Sequence, residues 1–149
     1  MMNIKKIVAF CVMIASAVLL PVLAQAQSNT PRLALVIGNA HYANATLATP
    51  ANDAGLIAQT LQDQGFDVTA AADLNYEELR RAFQDFVAKA QKAGPQSVVF
   101  VYLAGRGVQY AGENFFVPVD ATIARATDVP LVALRLSDYT QALAGLPAQ

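Results

Sequence analysis

Three short apolar blocks separated by two amphipathic stretches constrain this chain more than any other feature. "RLALVIG" (Arg32 to Gly38), "FDVTAA" and "SVVFVYLAG" are rich in branched and aromatic side chains, are too short for helices and are bounded by turn residues, so strands are predicted near 32–38, 66–71 and 97–103. The first and third blocks run apolar without alternation, the pattern of strands buried under helices on both faces. A helix is predicted over 52–64, with Leu56, Ile57, Thr60 and Leu61 at three- and four-residue spacing and Gly65 as its stop. A second is predicted over 75–92: Asn75 and Glu78 have capping-box spacing, Leu79, Phe83, Phe86 and Val87 make one stripe, and Gly94-Pro95 ends it. Strands alternating with helices close economically as a mostly parallel sheet with helices on its faces, which predicts an α/β fold.

After Gly107 the pattern changes. "VQYAGENFFVPVD" holds two short extended pieces around "AGEN", a predicted hairpin, and Pro118 disfavours an interior position in a regular ladder. A third helix is predicted from Ser137, as its cap, to Leu146, and "NAHYANATLATP" (Asn39 to Pro50) reads as a loop.

The amino-terminal residues 1–26 read as a signal peptide rather than as part of the fold. Lys5-Lys6, the apolar run Ile7 to Leu20 and the small residues of Ala24-Gln25-Ala26 predict export to the periplasm or beyond, with cleavage after Ala26. The competing reading is an uncleaved anchor, since Ile7 to Ala24 is just long enough to span a bilayer core. Cleavage leaves residues 27–149 as one domain without stable membrane association. The chain's one cysteine, Cys11, lies inside the apolar run, so residues 27–149 offer neither a disulfide nor a thiolate. A formal net charge of −1, with no basic cluster, argues against a nucleic-acid footprint. One histidine, no phosphate-binding glycine loop and no H-E-x-x-H motif leave no metal site and no cofactor to expect.

In open α/β sheets ligands sit outside the carboxyl ends of the strands, which directs attention to 39–44, 72–75 and 104–109. His41 is the single candidate imidazole base, but no Ser, Cys or carboxylate stands at a fixed local spacing to give it a role, and a surface histidine is the simpler reading. Asn52 and Asp53 read first as caps of the first helix and second as pocket residues. Gly105 and Gly107 flank Arg106, which fits either a tight bend with a solvated arginine or a backbone that approaches a ligand closely.

Taken together, "RLALVIGNAHYAN", "ANDAGLIAQTLQDQGFDV" and "VFVYLAGRGVQYAGENFFVPVDA" resemble the bacterial caspase-like cysteine peptidases, relatives of metacaspases and caspases, from Arg32 to about Asp120 and more loosely to Leu146. The resemblance implies a caspase-like three-layer fold and a His–Cys dyad, with the histidine between two glycines after the third strand and the cysteine after a fourth. Carried onto this chain, the histidine position is Arg106, and the sequence ends before a fourth core strand and its cysteine. No catalytic residue is therefore assigned. Asn39, Tyr42, Asn52, Asp53, Gly105 and Gly107 are the candidate cleft residues, with Asn52 and Asp53 matching family positions near the substrate cleft. The leading expectation is a catalytically inactive, exported domain with at most a binding role toward a peptide or protein, and with one sheet edge open to self-association. Two alternatives stand beside it: the amino-terminal part of a cysteine endopeptidase whose cysteine-bearing segment is separate, or an unrelated small-ligand or peptide binding protein.

Overall fold

β1 (Arg32–Gly38) forms the middle of the molecule because it is the strand of the main sheet with a neighbour on each side. In the computed structural model, which describes residues 30–145, β4 (Asp67–Ala72) and β5 (Val98–Ala104) both run parallel to it in the order β4-β1-β5. Leu33 stands opposite Asp67 on one side and Val99 on the other. The crossovers are α1 (Pro50–Asp63) and α2 (Tyr76–Ala93). Side chains of a strand alternate between faces, and β1 is apolar on both. Leu33, Leu35 and Ile37 pack with Leu79, Phe83 and Phe86 of α2, while Ala34 and Val36 pack with Ala54 and Ala58 of α1. This is the α/β architecture with a mostly parallel sheet that the strand and helix pattern predicts.

Local chemistry explains most element boundaries. Asn75 caps α2: its Oδ1 accepts from the Glu78 N–H at 2.9 Å, and the Glu78 carboxylate accepts from the Asn75 N–H at 3.1 Å. β6 (Gly107–Tyr110) and β7 (Glu113–Phe116) form the expected antiparallel hairpin. Its turn residues Ala111 and Gly112 have φ of 50° and 82°, the left-handed pair that a two-residue hairpin turn requires. Pro118 falls beyond the ladder, where its missing N–H costs nothing.

Four expectations need correction. The third block is not buried on both faces: β5 is an edge strand among the described residues, and Val98 and Phe100 remain 45% and 40% exposed. α1 begins at Pro50 rather than residue 52, since proline's fixed φ and absent N–H suit a first helical position, so Asn52 and Asp53 lie in its first turn and cap nothing. Leu56 is 70% exposed, and the inward face is made by Ala54 and Ala58 with Ile57 and Leu61 beside them. Ser137 does not cap the last helix, α4 (Leu136–Ala144), whose cap position is Arg135; its hydroxyl instead donates to the Glu113 carboxylate at 2.6 Å, tying α4 to β7. Sequence reasoning also missed the short elements: the hairpin of β2 (His41–Tyr42) and β3 (Ala45–Thr46), the 3-10 turn Ala126–Asp128, the turn-length α3 (Val129–Val132), and β8 (Leu134–Arg135), which pairs with β7. The signal-peptide reading of 1–26, residues 27–29 of the polar leader, and Leu146 lie outside the described residues.

Candidate functional site at the carboxyl end of the sheet

Asn39 leaves β1 with its side chain fully buried. Its backbone N–H donates to Ala104 O at 2.8 Å, and its Oδ1 accepts from the Leu74 N–H at 3.0 Å. Its Nδ2 donates over longer distances to Leu74 O (3.4 Å) and Val117 O (3.5 Å). One residue thereby joins the ends of β1 and β5 through its backbone and the segments after β4 and β7 through its side-chain amide, and it satisfies polar groups that burial would otherwise penalise. Asn39 is thus a joint beneath the cleft rather than a group facing it. The segment after β7 is fastened a second time, where Asp120 accepts from the Tyr76 N–H at 3.0 Å at the start of α2.

Tyr42 is the next layer up. Its hydroxyl accepts from the Arg106 N–H at 2.8 Å and donates to Val117 O at 3.2 Å. Burial pushes its pKa up, against the opposing pull of the Arg106 N–H, so it remains a neutral donor to that carbonyl. The approach is close enough to dictate Gly105, which has φ of +156°, and a Cβ there would stand 2.6 Å from the Tyr42 hydroxyl and 3.0 Å from the Phe116 ring. A Cβ on Gly107 would meet nothing nearer than Phe115 O at 3.7 Å. Of the two glycines flanking Arg106, the bend requires the first.

Arg106 follows β5 directly. Its guanidinium carbon lies 4.7 Å from the centroid of the Tyr42 ring, a cation–π contact, and Nη2 reaches Ala45 O at 3.5 Å. Among the described residues no carboxylate pairs with it. Beside it opens a cavity of about 320 Å³ between the β2–β3 turn and the chain after β7, with Ala43, Asn44, Val117 and Ile123 in its walls. Asn52 and Asp53 are exposed on the first turn of α1 and do not line this cavity, so the structure does not bring them to Arg106.

His41 is exposed, as expected, yet it has a carboxylate partner thirty-two residues away: Nδ1 lies 2.6 Å from Asp73 Oδ2. Asp73 also accepts from the backbone N–H groups of Ala40 (2.7 Å) and His41 (2.9 Å), and sits at φ of 53°, a left-handed conformation that aspartate tolerates better than most residues. The His41 backbone N–H foremost, with that of Ala40 and the His41 ring, holds its carboxyl down at about 2 against a weaker opposing effect of burial. Sequence reasoning did not single out Asp73. The available signal was its place as the first residue beyond a parallel strand. A carboxylate on a histidine is the arrangement that orients a general base, but no hydroxyl or thiol hydrogen-bonds to His41 among the described residues. Nor do those residues contain a group of three or more His, Cys, Asp or Glu suited to a metal ion.

The family described as "Caspase domain" matches residues 31–148. The Homo sapiens protein called mucosa-associated lymphoid tissue lymphoma translocation protein 1 is 33% identical over 91 residues. That stretch is 60% of this chain and 11% of the human protein, so the likeness concerns one segment of a far longer polypeptide. The family match spans the main sheet, both crossover helices and the Arg106 tip, and this chain belongs to the caspase-domain family.

Proposed function

We propose that this chain is an exported caspase domain that does not hydrolyse peptide bonds and acts by binding. The observation that carries the reading is Arg106, which stands where the family resemblance puts the catalytic histidine, with its guanidinium on the ring of Tyr42. A guanidinium stays protonated and has no acceptor nitrogen, so it cannot take the proton of a thiol. A thiol nucleophile depends on that transfer or on an imidazolium partner, and residues 30–145 contain no cysteine. Export is supported by Lys5-Lys6, the apolar run and Ala24-Gln25-Ala26.

The test is hydrolysis of fluorogenic peptides with basic or acidic P1 residues by protein recovered from the producing cell. No turnover above blank is expected, either from the native chain or from R106H alone. Turnover that survives removal of contaminating proteases and disappears in R106A overturns the reading. Mass spectrometry of the same preparation should find Gln27 as the first residue, and an intact Met1 on soluble protein removes the assignment of export.

A second reading is favoured by one observation: the close approach of Gly105 to Tyr42 and Asn39, with the Tyr42 hydroxyl bonded on both sides, keeps the tip in a defined shape. On this reading the domain is the amino-terminal part of an active or formerly active cysteine endopeptidase whose cysteine lies on a separate or missing segment. It requires activity when R106H is combined with a cysteine-bearing segment, and silence of that combination removes it.

A further inference from the structure

Arg106 sits on the Tyr42 ring by a cation–π contact, which leaves the N–H edge of its guanidinium with little to bond among the described residues. The guanidinium carbon lies 4.7 Å from the ring centroid, and the five N–H bonds of a guanidinium lie in its plane and point outward. One of them makes a long, 3.5 Å bond to Ala45 O, and the fork has no carboxylate partner among the described residues. Holding the side chain over the ring also lowers the entropy lost when a ligand arrives.

The cavity beside that edge has a divided chemistry. Arg106, Asn44 and Tyr42 are its residues with polar side chains, Val108, Val117, Ala121 and Ile123 supply hydrocarbon, and no acidic residue lines it. Its volume of about 320 Å³ lies at the small end of ligand-sized cavities, room for one or two residues rather than a folded partner. A planar anion that accepts two parallel hydrogen bonds complements the fork. The apolar wall next to it calls for an aliphatic group attached to that anion, which a bare inorganic anion lacks.

We propose that this cavity binds a peptide carboxylate, paired with the Arg106 guanidinium, with a small aliphatic side chain of the same peptide against Val108, Val117 and Ile123. This rests on the reading of the domain as a binding module. The carboxylate has two sources, a peptide's carboxyl terminus or an internal acidic side chain, and the test separates them.

The exported chain is titrated by fluorescence anisotropy with three labelled hexapeptides of one sequence ending in Val-Ala: the free acid, the neutral carboxyl-terminal amide, and the amide with an aspartate replacing one internal residue. The expected result is that a carboxylate-bearing peptide binds at least tenfold tighter than the neutral amide, and that added salt weakens it. Preference for the free acid assigns the terminus, and preference for the aspartyl amide assigns the side chain. Arg106→Gln should erase the preference, Arg106→Lys should keep part of it because a point charge cannot form the fork, and Ile123→Asp should weaken binding by repulsion at an exposed position that the fold does not need. Equal binding of all three peptides, an unchanged preference in Arg106→Gln, or no binding by a chain whose circular dichroism is native overturns the proposal. Chromatography of the same samples separates the two claims. Bound peptide that is cleaved overturns the absence of peptidase activity and leaves the carboxylate site standing, whereas intact peptide that fails to bind does the reverse.

Discussion

The two faces of β1 are built to different rules although they share one strand. Toward α2 the strand presents Leu33, Leu35 and Ile37 to Leu79, Phe83 and Phe86, large side chains that fill the space between layers. Toward α1 it presents Ala34 and Val36 to Ala54 and Ala58, small side chains that let the helix come close. The first face supplies most of the buried hydrocarbon and hence most of the hydrophobic stabilisation. The second sets a distance: a Cβ on Gly38 would stand 2.6 Å from Pro50 O and 2.8 Å from Ala54 Cβ, so the start of α1 is pressed against the point where β1 gives way to the Asn39 joint. Stability and placement of the site are thus divided between opposite faces of the same strand.

The largest effect expected from breaking this division lies on the α2 face. Phe86 is fully buried, and Phe86→Ala should lower stability by about 3–5 kcal/mol, read as a fall in the urea midpoint with an unchanged slope. A loss below about 1 kcal/mol, smaller than a large-to-small change in a packed core, would mean that the α2 face does not carry the weight assigned to it. On the α1 face the sensitive change is an addition. Gly38→Ala forces backbone and a packed methyl apart and should cost about 1–3 kcal/mol. Since the displaced element adjoins the Asn39 joint, the NMR shift of the Arg106 N–H, which donates to the Tyr42 hydroxyl, should change in Gly38→Ala more than in Phe86→Ala. The opposite order would break the assignment of site placement to the α1 face.

What the sequence disclosed follows the same division. The α2 face was legible because large apolar residues at helical spacing, with a capping box in front, leave little choice of orientation, and Leu79, Phe83 and Phe86 all point inward as expected. The α1 face was read in part: Ile57 and Leu61 lie inward as expected, but alanine gives hardly any hydropathy contrast, so Ala54 and Ala58 were missed and the exposed Leu56 was drawn into the stripe. At the site, the bend at Gly105 and the hairpin beyond it were visible in local spacing. The bonds of Asn39 to Leu74 and Val117, and of His41 to Asp73, join residues far apart in sequence, and no local pattern encodes them.

Asp73 offers a smaller effect at the edge where the α1 layer meets the site. Its carboxyl is held at about 2 in the folded protein, below its ordinary value of 3.8. A lowered folded-state pKa contributes stability that is fully present above the ordinary value and is lost as pH falls from about 4 toward 2. Asparagine tolerates the same left-handed backbone, so Asp73→Asn removes the charge without adding strain. The variant should be less stable than the native chain at pH 6, by less than Gly38→Ala, and the gap between their urea midpoints should close on acidification through that window. A gap that stays constant from pH 6 to pH 2 would show that the Asp73 carboxylate does not hold the β1 end.

The smallest expected effect decides between the two readings of α1. If the helix buried the stripe suggested by Leu56, Ile57, Thr60 and Leu61, replacing Leu56 with glutamine would place an amide in the core, at a cost of several kcal/mol from lost packing and an unpaired polar group. With Leu56 70% exposed and Ala54 and Ala58 turned inward, Leu56→Gln should change stability by less than about 0.5 kcal/mol. Glutamine and leucine have similar helix propensities, so the substitution reports burial and little else. Ala58→Leu sharpens the contrast: it adds hydrocarbon on the same helix at a buried position, and should be the more damaging of the two because the α1 layer has no room for it. If Leu56→Gln proves the worse, α1 is rotated about its axis relative to this structure, and the close approach at Gly38 that positions the site fails with it.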